Sequence, residues 1–171
     1  MKTSELNPNE YNPYYHTYII ALGEVELLKV MSNQLDNFPN FINGIPVEKM
    51  KHAYAEGKWT IAEVLQHIID AERVFQYRAL RFSRNDQTPL PGFDENLYVP
   101  QSFASEKSKE TLIEEYNAVR ASSLSLYKSF SDEVLKRTGT ASSSLMSVAA
   151  LGFIICGHQR HHRNIIRERY F

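Results

Sequence analysis

The stretch LMSVAALGFIICGHQRHHRNIIRER, residues 145–169, decides the fold. An α-helix advances about 100° per residue, and on such a helix one set of side chains falls within roughly 80° of arc. That set is Leu151, Ile155, His158, His162 and Ile165. Three arginines lie on the opposite side: Arg160, Arg163 and Arg167. The stretch is therefore predicted to be a long amphipathic helix that carries two histidines on its core-facing side.

Three further amphipathic helices are predicted upstream of this one. The second of them has a clear start, because Thr60 is followed three residues later by Glu63, the pattern of a capping box. A loop is predicted at 38–46, which is rich in Pro, Gly and Asn. The three helices are expected to cover about residues 14–37, 61–84 and 107–130.

The segments between the helices favour a bundle. Residues 85–104 contain three prolines and cannot form one regular helix, so they are predicted to be a long crossover. Residues 131–144 are expected to be a polar connector, and residues 1–13, with two Asn-Pro pairs, an extended arm. No strand-like alternation stands out. The prediction is an all-α protein: an antiparallel four-helix bundle with a long crossover between helices two and three.

Composition narrows the class of protein. A chain of 171 residues fits one domain spanning 1–171. With 19 basic and 20 acidic side chains, the net charge of -1 gives no general electrostatic case for nucleic-acid binding. The single Cys156 excludes an internal disulfide and fits a reducing cytoplasm. The start has no apolar signal segment, and no apolar run is long enough to span a membrane. A soluble cytoplasmic protein is expected.

The histidine pair on the fourth helix is the first sign of chemistry. His158 and His162 are four residues apart, so their side chains stack one turn apart and both imidazoles can reach one ion. The alternative is a pair of core histidines whose ring nitrogens are satisfied by hydrogen bonds. His161 lies toward the edge of the same face and is expected beside the site or partly exposed.

A third histidine, His67, lies at the margin of the apolar face of the second helix. Taken alone, such a residue is more often structural. If the second helix packs beside the fourth, His67 completes a three-histidine site, and three neutral imidazoles with one open position are typical of a catalytic rather than a structural zinc site. Imidazole also suits nickel, iron, cobalt and copper, so the metal stays open.

Two acidic side chains of the second helix need a separate interpretation. Asp70 follows His67 by one turn and could support the site, although a solvent-facing acid is an equal alternative. Glu72 falls within the apolar stripe, where a carboxylate needs a partner. Arg120, beside the apolar face of the third helix, is the candidate for a structural ion pair. Cys156 falls roughly 140° from the histidine stripe and is a poor ligand or nucleophile; His16 and His52 receive no role.

The chain resembles the DinB-like superfamily of metal-binding four-helix bundles. The resemblance is carried by GKWTIAEVLQHIIDAERVFQYRALRFSRND, the LPGFDENLYV loop, EEYNAVRASSLSL and GHQRHHRNIIRERY, about half of the residues. The most specific part is a helix-two histidine combined with a C-terminal His-x-x-His-His. By position, the resemblance implies metal ligands at His67, His158 and His162, and a homodimer.

The resemblance also implies a choice of activities. Members of this superfamily include transferases and an isomerase that use low-molecular-weight thiols, and others are assigned as metal-dependent hydrolases. One divalent ion is expected, zinc or nickel first, with iron, cobalt or manganese also compatible, together with a small-molecule substrate and in one version a thiol cofactor. Phe93, Asp94 and Tyr98 of the crossover are candidates for the substrate walls, unless that loop only covers the bundle.

Three classes of function follow from these observations. The leading hypothesis is a metalloenzyme, in which the ion either activates a thiol for transfer or activates water for hydrolysis. The second is a non-catalytic metal-binding or stress-response module. The third, DNA binding, is disfavoured because the arginines of the fourth helix alternate with Glu168 and resemble a solvated face.

Overall fold

A computed structural model describes residues 1–171, and it is a four-helix bundle with short additional elements. The four long helices are α2 (Leu27–Asn43), α3 (Ile61–Ser83), α5 (Lys109–Lys128) and α7 (Val148–Arg169). Around the bundle α2 packs on α5, α5 on α3, α3 on α7 and α7 on α2. The all-α fold class with a long crossover is confirmed. No helix combines the length and apolar character of a membrane span.

The side-chain contacts give the helix directions. His67 near the start of α3 lies beside His162 in the second half of α7, and Phe75 further along α3 lies beside His158, so α3 and α7 run antiparallel. Lys109 at the start of α5 donates to the carbonyl of Asn43 at the end of α2, so this pair is antiparallel too. The pair α3–α5 runs parallel, because Gln66 contacts Glu115 and Gln76 contacts Ser122. A parallel neighbour requires a connection that returns the chain to the same end of the bundle. The crossover of residues 84–108 provides it.

The start of α3 has the local structure that its sequence predicts. The Thr60 hydroxyl accepts from the Glu63 amide, and the Glu63 carboxylate accepts from the Thr60 amide at 2.7 Å. Both partners of the capping box are present, and each satisfies a backbone N–H that the first helical turn leaves free. This cap sets where α3 begins and therefore which of its residues point toward α7.

The prediction for the first helix was wrong in two places. Instead of one helix over 14–37, the chain forms the short α1 (His16–Ile20), turns at Gly23 with a φ of 66°, and enters α2. A positive φ is easy for glycine alone. At the other end α2 continues through Pro39 to Asn43, so the predicted loop begins too early. Phe38 and Ile42 are almost fully buried there, and that burial opposes the cost of a proline inside the helix.

The N-terminal residues also differ from the expected extended arm. They form three 3-10 turns, at Thr3–Glu5, Pro8–Glu10 and Pro13–Tyr15. Each Asn-Pro pair starts one turn, with the asparagine side chain accepting from a backbone amide two residues ahead. Leu6 and Tyr11 are buried between the turns, so this segment is part of the core.

A β-hairpin that the sequence did not predict follows the short helix α6 (Asp132–Leu135). Strands β1 (Thr138–Ala141) and β2 (Ser144–Ser147) pair in antiparallel register. Their two-residue turn has positive φ at both Ser142 and Ser143. Such turns favour Asn-Gly, which a Ser-Ser pair does not resemble, so the sequence lacked the usual hairpin signal. The crossover itself contains the one remaining α-helix, α4 (Glu95–Gln101), and a 3-10 turn at Ala104–Glu106.

Candidate metal centre

Three histidines converge where α3 and α7 cross. The Nε2 atom of His158 lies 3.0 Å from Nε2 of His67 and 3.1 Å from Nε2 of His162. One ring nitrogen of each residue falls within 4.8 Å of the others. The capped start of α3 and the i, i+4 spacing on α7 place these side chains together. The structure therefore joins the three residues that the sequence singled out.

All three imidazoles are held in the neutral form. Burial lowers the pKa of His158 well below its usual value, and the three neighbouring histidines His162, His67 and His161 lower it further. Burial likewise lowers the pKa of His162, to about 3. Burial also lowers the pKa of His67, although the negative charges of Glu95 and Asp70 oppose this effect. A neutral imidazole has a lone pair to offer, which is the form that binds a metal.

The geometry fits a divalent ion. Zinc–nitrogen bonds of about 2.0–2.1 Å in a tetrahedral site place ligand nitrogens roughly 3.3 Å apart. The two shortest separations in the cluster lie within a few tenths of that value. Hydrogen bonding alone accounts poorly for the cluster, since Nε2 of His158 has either one hydrogen or one lone pair and would have to serve two neighbouring rings. Three protein nitrogens also leave one position of a tetrahedral ion open.

A close helix contact forms one wall of the cluster. A Cβ atom at Gly157 would clash with the backbone carbonyl of Tyr18, so only glycine allows α1 to approach α7 at this level. The Tyr18 ring then packs 5.7 Å from His158 and 4.9 Å from His161 between ring centroids. On the other side Trp59 packs 4.9 Å from His67. Aromatic rings thus flank the histidine cluster on two sides.

A cavity of about 310 Å³ opens on the three histidines, a volume suited to a small molecule. Of the predicted pocket residues, His161 and Phe93 line it. Asp94 does not; its side chain caps α4 by accepting from the Asn96 amide. Tyr98 packs on Phe93 with the ring centroids 5.3 Å apart and is half exposed outside the lining. The crossover therefore does contribute a wall, though through fewer of the predicted residues.

Asp70 makes no hydrogen bond to the histidine cluster and does not line the cavity. Its carboxylate accepts from Gln66 and from Arg73, each at 3.0 Å, and it hydrogen-bonds to none of the histidines. Because Gln66 and Arg73 also bind Glu115 of α5, Asp70 belongs to a polar network that joins α3 to α5. Asp70 is therefore outside the cavity, as a partly buried member of this network and not as the solvent-facing acid of the alternative.

Glu72 and Arg120 form the buried ion pair that the sequence suggested. Both carboxylate oxygens accept from the guanidinium at 2.8 Å, and the two residues are 2% and 0% exposed. Gln34 accepts from the remaining terminal nitrogen of Arg120 at 2.6 Å. Burial opposes the positive charge, but Glu72 outweighs it and the pKa of Arg120 is raised. This pair lies in the bundle core and does not line the cavity.

Two charged residues of the cavity were missed by sequence reasoning. Glu95, the first residue of α4, lines the cavity near His67, and Arg78 lines it from α3. The sequence held no signal for Glu95, because its position depends on the path of the crossover. Arg78 follows His67 by eleven residues, three helical turns, and so shares its face. That periodicity could have identified it.

Cys156, His16 and His52 lie outside the site, as the sequence predicted. Cys156 is fully buried, and burial raises the pKa of its thiol to about 12, so it is a poor nucleophile. His16 contacts the Tyr11 hydroxyl at 3.0 Å, and the ring of His52 packs against Tyr170. Neither histidine lines the cavity.

The fold and the site together define the class of this protein: it is a helical bundle with a cavity lined by three histidines. The sequence matches the profile of the DinB superfamily over residues 31–166, and the chain belongs to that family. It is similar to a curated protein of Oceanobacillus iheyensis that is provisionally named a metal-dependent hydrolase. The two are 24% identical over 139 residues, which cover 80% of this chain and 79% of that protein.

Solved structures share the fold. YfiT of Bacillus subtilis, described as a probable metal-dependent hydrolase with an unusual four-helix bundle topology, superposes with a TM-score of 0.74 at 15% identity, covering 83% of this chain and 82% of YfiT. A mycothiol-dependent maleylpyruvate isomerase superposes with a TM-score of 0.64 at 11% identity, covering 81% of this chain and 60% of the isomerase. At these identities the likeness establishes the fold alone.

Proposed function

We propose that the protein is a metal-dependent enzyme in which His67, His158 and His162 hold one divalent ion. The observation that carries the proposal is the convergence of three neutral, largely buried imidazole nitrogens on an open cavity. A ligand set made only of nitrogen suits zinc or nickel, with iron, cobalt or manganese as further candidates. A small-molecule substrate, a homodimer and a cytoplasmic location remain predictions from the sequence.

The leading reaction is hydrolysis of a small ester or amide. When bound, a divalent ion at such a site polarises the acyl oxygen of the substrate and increases the acidity of water. Glu95 is the one carboxylate that lines the cavity, and we assign it the role of the base. It would take a proton from the attacking water as the bond from water oxygen to the acyl carbon forms. The same proton then goes to the leaving oxygen or nitrogen as its bond to carbon breaks. The names of the Oceanobacillus and Bacillus relatives support this assignment.

Thiol-dependent transfer is the second candidate. The chain offers no reactive thiol of its own, since Cys156 is buried with a raised pKa, so the sulfur would come from a small-molecule thiol cofactor. Neutral imidazole ligands leave the ion its full positive charge, which favours a thiolate over a thiol. The fold neighbour named for its mycothiol dependence supports this version. A metal-binding module without catalysis is the outcome if neither reaction is found.

The experiment that tests the proposal separates binding from turnover. Purified protein should carry close to one divalent ion per chain by elemental analysis, and His158→Ala should lose most of it. His52→Ala is the matched control, because His52 lies outside the cavity and should keep full metal content. Unchanged metal in His158→Ala would refute the site.

The reaction type is then read from the metal-loaded protein. Simple esters and amides test hydrolysis, and pairs of a small thiol with an electrophile test transfer. If Glu95 is the base, Glu95→Gln should lower ester hydrolysis by about a hundredfold and leave the metal content unchanged. A metal-loaded protein that turns over neither set of compounds would assign it to the non-catalytic class.

A further inference from the structure

The cavity contains a buried positive charge that the proposed reaction does not use. Arg78 is only 2% exposed and lines the cavity from α3. Both hydrogen bonds of its guanidinium run from one terminal nitrogen, Nη2, to the carbonyl of Pro91 at 3.1 Å and the hydroxyl of Ser142 at 2.9 Å. Both of these acceptors are neutral.

No carboxylate of the protein pairs with Arg78. All ion pairs of the chain involve other residues. Arg120, the other deeply buried arginine, has two hydrogen bonds to a carboxylate, which is what a buried guanidinium normally requires. Burial lowers the pKa of Arg78, and the nearby Tyr15 offsets that effect only in part. The guanidinium therefore has no carboxylate in contact with it, at the wall of a cavity.

The position of Arg78 relates it to the histidines. Its guanidinium carbon lies 5.6 Å from the centre of the Phe75 ring, and the centre of that ring lies 6.4 Å from the centre of the His158 ring. These two distances bound the separation, so the guanidinium is within about 12 Å of the His158 ring. Phe75 provides an apolar surface between the two polar ends. One small molecule can reach both ends along it.

We propose that Arg78 binds a carboxylate of the substrate, so that the enzyme acts on small molecules with a carboxylate at one end and the reacting group at the other. Guanidinium groups prefer planar anions that accept two hydrogen bonds. A carboxylate is favoured over a phosphate because Arg78 is the one Lys or Arg of the cavity, which also contains the negative Glu95. A monoanion balances that single charge, whereas a phosphate would bring excess negative charge. This inference rests on the proposed function, since the histidine end defines where the reacting group lies.

Binding can be measured without knowing the substrate. Trp59 is the only tryptophan and lines the cavity beside His67, so its fluorescence reports occupancy with or without metal. The probes are straight-chain mercaptoalkanoates of increasing length, each compared with the mercaptoalkanol of the same length. The carboxylate is expected to bind about ten- to a hundredfold more tightly than the alcohol, the range for a hydrogen-bonded charged pair.

Substitutions test whether Arg78 is the residue that causes the preference for the carboxylate over the alcohol. Arg78→Met, similar in length and uncharged, should reduce the ratio of the two dissociation constants to about one. Arg73→Met on the same helix should leave the ratio unchanged, because Arg73 binds Asp70 and Glu115 outside the cavity. Ser142→Ala removes one contact of Arg78 but keeps its charge, and it should also retain the preference. A preference lost in Ser142→Ala as fully as in Arg78→Met would show a structural role and overturn the proposal.

The wild-type protein decides the question even if Arg78→Met fails to fold. Equal binding of carboxylate and alcohol by the metal-loaded wild type would overturn this inference and leave the metal site intact. A carboxylate preference in protein that takes up no metal would support Arg78 as the anion site while refuting the proposed function. The two failures therefore give different results.

Discussion

The buried pair Glu72–Arg120 gives the most quantitative prediction. Replacing Glu72 with Met removes both 2.8 Å hydrogen bonds and leaves a guanidinium that is 0% exposed without a carboxylate. Two unit charges about 4 Å apart interact by roughly 4 kcal/mol at an effective dielectric constant of about 20. Breaking one side of a buried pair costs about 3–5 kcal/mol in measured cases. We expect Glu72→Met to lower the free energy of unfolding by that amount.

The double variant distinguishes the energetic effect of the ion pair from the effect of lost packing. In Glu72→Met with Arg120→Met no buried charge remains, and such apolar replacements are often close to neutral. The double variant should therefore be more stable than either single one, with a coupling energy of about 2 kcal/mol or more. In the double variant the side-chain oxygen of Gln34 loses the hydrogen bond that Arg120 donates to it, and this loss should lower the free energy of unfolding slightly.

Urea unfolding at neutral pH measures these differences through the midpoint and the slope. Arg73→Met is the surface control: its ion pairs involve a side chain that is 45% exposed, and it should cost about 1 kcal/mol or less. A Glu72→Met variant within about 0.5 kcal/mol of the wild type, or additive losses in the double variant, would contradict the reasoning.

Three further predictions concern pH, packing and metal. Burial raises the pKa of Glu115, but hydrogen bonds from Lys107, Arg73 and Gln66 outweigh it and hold that pKa at about 2. The stabilisation by Glu115 is thus complete above its ordinary pKa near 4.3 and disappears as the pH falls toward 2, so the urea-midpoint difference between wild type and Glu115→Gln should shrink over that window. Gly157→Ala should displace Tyr18, lower the thermal midpoint by several degrees, and weaken metal binding; an unchanged midpoint would contradict the clash. Removing metal should lower the melting temperature by about 10 °C when the ion is near a thousandfold above its dissociation constant, and His158→Ala should show no metal-dependent shift.

The sequence predicted the bundle because its signals were local and repeated. The period of the apolar residues in α3, α5 and α7 and the pair Thr60–Glu63 each depend on residues within one or two helical turns. The wrong predictions concern features that depend on contacts between residues far apart in the sequence. Gly23 breaks the first helix where Thr3 binds its carbonyl, and α2 continues through Pro39 because Phe38 and Ile42 are buried. No short window contains those partners.

The same distinction explains what could be inferred about the site. The wheel placed His158 and His162 on one face, which needs only the 3.6-residue period, whereas Glu95 reaches the cavity through a crossover whose path depends on the whole bundle. Arg78 illustrates both cases. The sequence shows that it shares a helix face with His67, because the two are eleven residues apart, but only the folded structure shows that it has no acidic partner. A buried charge without a partner is destabilising for the free protein, so the most direct reason to retain it is a ligand that supplies the missing anion. Substrate recognition in this bundle is therefore expected at the Arg78 end of the cavity and chemistry at the histidine end.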